Sequence, residues 1–250
     1  MLSTAAKPAA AGIPIEPLDR QNSLGELAYD RLRQSIVGGQ FLPGAKLTVR
    51  SVAEALGVST TPARDAINRL IAEGALINRG PKTIVVPELT MKALDEVTKI
   101  RLNLEGLAAF ESAQHVSEED IAFLEATQLQ LNAALDEARY AEVLRLNKAF
   151  HFRVYALSQM PRLVAIIESL WLRIGPSLNR LYPEFAISKR GVSNHQWVLR
   201  GLRDRDGATV RAAFENDLRD GYRSLSKMVR SRSPLTTLMH QNGIDAVAED

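Results

Sequence analysis

Leu47-Thr-Val-Arg-Ser-Val-Ala-Glu-Ala-Leu-Gly-Val-Ser-Thr-Thr-Pro-Ala-Arg-Asp-Ala-Ile-Asn-Arg-Leu70 encodes two short helices joined at Gly57. Val52, Ala53 and Leu56 fall at i, i+1 and i+4, which gives the first helix a buried stripe, and Gly57 permits the tight turn after it. Hydroxyls from Ser59 to Thr61 are available as caps, and Pro62 suits a first helical turn. Ala63, Ile67, Leu70 and Ile71 then repeat at helical spacing, leaving Thr61, Arg64, Asp65 and Asn68 on the outer face. A helix with its N-terminus open to phosphate and with outward hydroxyl, guanidinium and amide groups has the chemistry that major-groove reading needs. An ordinary helical hairpin shows the same apolar spacing, so the flanking sequence decides between them.

After Gly74 the period changes: Ala75-Leu-Ile-Asn and Thr83-Ile-Val-Val are short β-rich runs around Arg79-Gly-Pro-Lys82, the pattern of a hairpin wing. Upstream, Leu24, Ala28, Leu32 and Ile36 recur every fourth residue, so the spacing predicts a helix from about Ser23 to Val37 before Gly38-Gly39 ends it. Phe41, Leu42 and the Pro43-Gly44 turn lead into Leu47. Together these residues resemble the winged helix-turn-helix of the GntR family of regulators, whose run of helix, Pro-Gly turn, Leu-Ser/Thr, Gly-Val-Ser and Thr-Pro-x-Arg-Glu-Ala is matched over about residues 23–88. The resemblance implies operator contacts through Arg50 and Arg64. Thr60 departs from the family, many of whose members carry arginine there, and offers only a hydroxyl. Lys82 on the wing is a further candidate contact. For each basic residue a solvated or helix-pairing side chain is the plain alternative.

The chain has 250 residues, 46% of them hydrophobic, enough for one or two domains with a real core. Residues 20–88 hold 9 Lys+Arg against 6 Asp+Glu, whereas residues 89–250 hold 21 of each. The small positive excess therefore sits on the part expected to meet DNA, and a dimer doubles it. Absence of cysteine excludes disulfides, thiolate metal sites and a cysteine nucleophile. No apolar run reaches about 18 residues, and the N-terminal Ala/Pro-rich stretch lacks the apolar centre of a signal peptide, so a cytoplasmic protein with no membrane partner is expected. Residues 1–19 and 232–250 are expected to be mobile tails flanking a winged domain (20–88) and a helical domain (89–231).

From Thr90 to Arg230 helical periodicity is broken only at Ser117-Glu-Glu-Asp, near Asp136, at Pro161, around Tyr182-Pro183 and from Asp204 to Gly207. Six helices in an antiparallel bundle are expected, making the whole chain mainly α. This part resembles the FCD effector domain of one GntR branch through Arg101-x3-Glu105, the Asn147-x3-His151 pair, His195 and Asp206 at the start of the last helix; six helices place it nearer the VanR-like subgroup. The resemblance implies a divalent metal (Zn, Ni or Mn) held at Asn147, His151, His195 and Asp217. Asn147 stands where the family has Asp, and Asp217, 22 residues past His195, stands where it has a last His. One carboxylate is lost and one gained, so the formal charge of the set is unchanged. Taken alone, His151 beside Phe150 and His195 beside Trp197 read as packed core histidines.

Effectors of this domain type are small carboxylic acids or related metabolites, and the resemblance implies the same here, with Arg101 gripping the carboxylate. An i,i+4 pair of Arg101 with Glu105 is the simpler reading, and both can hold at once. The expectation is a homodimeric, DNA-binding, metabolite-responsive repressor of a short inverted repeat. A metal-only sensor is the alternative. No motif supplies a nucleophile with an aligned base, which argues against an enzyme.

Overall fold

The computed structural model describes residues 24–178, 181 and 190–231. Both expected tails, residues 20–23 and the break at Tyr182-Pro183 lie outside the described residues. The first part comprises α1 (Leu24–Val37), β1 (Lys46–Leu47), α2 (Val49–Leu56), α3 (Thr60–Ala72), β2 (Ile77–Gly80) and β3 (Thr83–Val85).

A reciprocal cap starts α2: the Thr48 hydroxyl accepts from the Ser51 N–H and the Ser51 hydroxyl accepts from the Thr48 N–H, each at 3.0 Å. Gly57, at φ 66°, ends the helix in the left-handed turn that a residue without Cβ adopts at least cost. The expected hydroxyl cap on α3 is not made. Ser59 is the N-cap but its side chain bonds no backbone donor; Pro62 at the third helical position has no N–H to give, and the remaining candidate, the Thr61 N–H, is not engaged.

The wing is a three-stranded antiparallel sheet in the order β1-β3-β2, with Ile77 opposite Val85 and Lys46 also opposite Val85 on the other side. β1 has no sequence signal because two residues cannot show alternation. Ala75 and Leu76, expected in the first wing strand, precede it. Both amides bond the Leu70 carbonyl after the Gly74 turn, and both side chains are buried.

Six helices follow among the described residues: α4 (Met91–Ser112), α5 (Glu118–Asp136), α6 (Tyr140–Leu157), α7 (Pro161–Leu178), α8 (Arg190–Arg203) and α9 (Gly207–Ser231). Thr90 and Ser117 cap α4 and α5, and Asp206 accepts from the amides of Ala208 and Thr209 at the start of α9. α9 packs along α4 and α8, while α5 pairs with α6. None of the described helices is long and apolar enough to cross a membrane.

One buried apolar cluster runs from Leu32, Ile36 and Ile67 in the winged part to Phe150, Trp171 and Phe214 in the bundle. It is continuous because α1 lies against α7. At their crossing a Cβ on Gly175 would sit 2.8 Å from the Val37 carbonyl oxygen and 2.9 Å from that of Ile36. Arg33 closes the seam with a 2.7 Å ion pair to Glu168.

Gly175→Ala must push two backbones apart, so a loss of about 1–3 kcal/mol is expected. Gly221→Ala in α9, where a Cβ meets nothing within 4 Å, should instead stabilise by about 0.5–1 kcal/mol. Urea denaturation of the two variants checks both signs.

Candidate functional site

The outer strip of α3 is as the spacing predicts: Thr60, Thr61, Arg64, Asp65 and Asn68 are exposed, while Ala63, Ala66, Ile67 and Leu70 are buried beneath them. Among the described residues neither Arg64 nor Lys82 pairs with a carboxylate. Lys82 sits at the tip of the wing, in the turn between β2 and β3. Arg50 is equally exposed but its Nε donates to Glu54 at 2.8 Å, a solvated pair that contributes little and opens readily.

In the bundle, α6, α8 and α9 bring His151, His195 and Asp217 together, their ligand atoms within 4.8 Å of one another. The tautomers follow from the partners. Tyr155 donates its hydroxyl hydrogen to Glu105 Oε2 at 2.5 Å, so its oxygen accepts from His151 Nδ1–H at 2.9 Å. His195 Nδ1–H donates to Gln128 Oε1 at 2.6 Å. Both Nε2 lone pairs then face inward, 3.2 Å apart, with Asp217 Oδ2 3.4 Å from His151 Nε2.

Three acceptors converging without a donor need a shared proton or a cation. Tetrahedral Zn²⁺ with nitrogens at about 2.0–2.1 Å places its ligands about 3.3 Å apart, so the donor set fits a metal. Burial pushes His195 down to about 3; Asp217 opposes this and His151 adds to it. Burial alone would raise the Asp217 carboxyl, but a proton shared with His151 Nε2, together with the nearby imidazoles, holds it below its usual value.

Beside this cluster is a cavity of about 50 Å³ whose polar wall includes Arg101, Asn147, His151, Asp217 and Tyr222, with Trp171 and Ile174 of α7 also lining it. Asn147, one turn before His151, thus reaches the same space. Arg101 does two things, as its spacing allowed: it lines the cavity and it pairs with Glu105 through Nε at 2.5 Å and Nη2 at 3.2 Å. Glu105 is fully buried and also accepts from Trp171 Nε1 at 3.1 Å.

His195 stacks on Phe150, 4.0 Å between centroids and 7° between planes, and not on its neighbour Trp197, which is 56% exposed. Tyr155 and Gln128 went unread in the sequence. The i,i+4 spacing of Tyr155 from His151 was a usable signal; Gln128 comes from another helix and gave none. His115 is exposed, and His240 lies outside the described residues.

Removing the Glu105 carboxylate leaves the Arg101 guanidinium buried without its counter-charge. Glu105→Ala is therefore expected to cost about 3–5 kcal/mol, read by chemical denaturation; a loss under 1 kcal/mol would mean that the pair is not desolvated.

Two family patterns match the chain: bacterial regulatory proteins of the gntR family over residues 24–86 and the FCD domain over residues 96–220. The HTH-type transcriptional regulator McbR of Escherichia coli (strain K12) is 32% identical over 177 residues, covering 70% of this chain and 80% of that protein. The HTH-type transcriptional repressor RspR of the same organism is 22% identical over 88% of this chain and 94% of its own length. The solved structure of E. coli McbR/YncC superposes with a TM-score of 0.78 at 29% identity, covering 82% of this chain and 98% of that one. These relatives are regulators and not enzymes. An outward-facing recognition helix on a winged sheet, followed by a six-helix bundle and matched by both patterns, makes this chain a member of the GntR family of DNA-binding transcriptional regulators with an FCD domain.

Proposed function

We propose that the chain is a homodimeric repressor that presents two α3 helices to a short inverted repeat in double-stranded operator DNA and lets go when a small carboxylate metabolite enters the bundle cavity. The carrying observation is that one helix serves both ends: Trp171 and Ile174 of α7 line the cavity, and Gly175 of α7 rests on the backbone of α1 in the winged part. A ligand that moves α7 therefore moves α1. If it favours the geometry that does not fit DNA by a hundredfold, operator binding weakens by about 2.7 kcal/mol per linked site. RspR, by its name, is a repressor; repression is carried to this chain as part of the proposal, with action in the cytoplasm.

The strip Thr60, Thr61, Arg64 and Asn68 supports groove reading, Arg50 and Lys82 support phosphate contact, and the uncapped amides of α3 remain available to a phosphate. His151, His195, Asp217 and Asn147 would hold a divalent Zn, Ni or Mn ion, with the Asn147 amide a weaker ligand than a carboxylate. When bound, the ion supplies a Lewis-acidic point for one oxygen of the metabolite. Arg101 takes the other oxygen through guanidinium hydrogens that Glu105 does not use.

The cavity volume favours a second reading. About 50 Å³ holds roughly three or four waters, which suits a hydrated ion at least as well as an organic acid and makes a metal-only sensor the competing function. Operator binding measured with metal alone, and then with metal plus short mono- and dicarboxylic acids, separates the two. If neither addition changes operator affinity, both fail.

Arg64→Ala should weaken operator binding by about 1–3 kcal/mol, and Thr60→Arg should tighten binding to any duplex while steepening its salt dependence by about one counterion. Fluorescence anisotropy across a salt series measures both. Undiminished binding by Arg64→Ala overturns the assignment of α3 as the reader.

A further inference from the structure

Two side chains that would never touch the ion decide where the histidine lone pairs point. We propose that Gln128 and Tyr155 are positioning residues for a cation at His151, His195 and Asp217, and that Gln128, being neutral, keeps that cation exchangeable. The proposal rests on the metal reading given above.

His195 is held from two directions. Phe150 stacks on its face, and Gln128 Oε1 takes its Nδ1–H at 2.6 Å. The Gln128 amide is itself oriented, because its Nε2 donates to Asn132 Oδ1 at 2.8 Å, one turn further along α5. Gln128 is only 5% exposed, so water does not replace it freely. Without that acceptor the buried Nδ1–H has no partner, and the imidazole gains by moving its proton to Nε2. That proton would then face His151, and a ligand would be lost.

His151 is backed differently. Its Nδ1–H goes to the Tyr155 oxygen, whose own hydrogen goes to the Glu105 carboxylate. An anion thus supports His151 at one remove, while His195 has only an amide behind it. Partners of this kind raise the basicity of a ligating imidazole, and a carboxylate does so more than an amide. With Asn147 beside the site as well, amides occupy two positions where acids would bind an ion more tightly. Weak, reversible loading follows, as a protein that responds to its metal requires.

The test measures Zn²⁺ affinity by chelator competition, and the visible spectrum of the Co²⁺-loaded protein, in the full chain and in Gln128→Met, Gln128→Glu and Tyr155→Phe, with thermal melts of each metal-free protein. Gln128→Met and Tyr155→Phe should bind about 10–100-fold more weakly, Gln128→Glu should bind more tightly than the parent, and the cobalt bands should shift in all three. A residue with a purely structural role would move the melts without this opposite response to Met and Glu. Equal affinity in all four proteins overturns the positioning role. A parent chain that binds neither ion overturns the metal reading itself. Should Tyr155→Phe fail to fold, the two Gln128 variants decide.

Discussion

A buried negative charge organises the bundle. Glu105 has no exposed surface, and an ionised carboxylate in that position is tolerable only when each oxygen is satisfied. Oε1 accepts from Arg101 and Trp171, and Oε2 accepts from Arg101 and Tyr155. Those donors come from α4, α7 and α6, so satisfying one carboxylate fixes the register of three helices. Apolar packing brings these helices together; the hydrogen bonds select one arrangement among the many that apolar contact would accept. The same arrangement holds His151 against Asp217 and places Arg101 on the cavity wall, so the candidate site comes from the network that holds the bundle.

The winged part was legible because its signals are local. Gly57 needed a positive φ, Thr48 and Ser51 cap each other three residues apart, and the buried face of α3 has helical spacing; each feature lies within a few residues of its cause. The Ser59 cap differs from expectation at a place where one of its two usual donors, the N–H of the third helical residue, is missing at Pro62. β1 was invisible because it is defined by its partner β3 and not by its own two residues. The six bundle helices were legible from the interruptions between them, whereas the arrangement of those helices was not.

The candidate metal set illustrates that limit. His151 and Asn147 share a face one turn apart, which spacing alone reveals, but the approach of His195 and Asp217 depends on how α8 and α9 return to α6. A resemblance to a family bridged that gap where spacing could not. It did not supply the partners: Gln128 faces His195 across 67 positions of sequence, and Glu105 meets Trp171 across 66. Such contacts leave no periodic trace, because each pairs two residues whose own helices would be equally stable without them.

Two of the connections between the winged part and the bundle differ in what they can transmit. The short Pro87-Glu-Leu-Thr90 link ends in the Thr90 cap of α4 and limits how far the two parts can separate, but a chain segment of a few residues passes on little about rotation. The α1–α7 seam constrains orientation. Backbone meets backbone there without an intervening side chain at Gly175, and the Arg33–Glu168 pair stands about one turn away along α1 and two turns away along α7. Packed interiors resist compression and pass displacement on. A shift of Trp171 or Ile174 at the cavity therefore has no soft layer to absorb it before it reaches Ile36 and Val37. What α1 then does to α3 is set by Tyr29, whose hydroxyl donates to Glu73 at 2.6 Å while Arg69 lies 3.7 Å over its ring. The C-terminal end of α3 is thereby tied to the helix that α7 touches, and under the proposed function a change at the cavity would reach the DNA-facing surface through close contacts instead of through a flexible hinge.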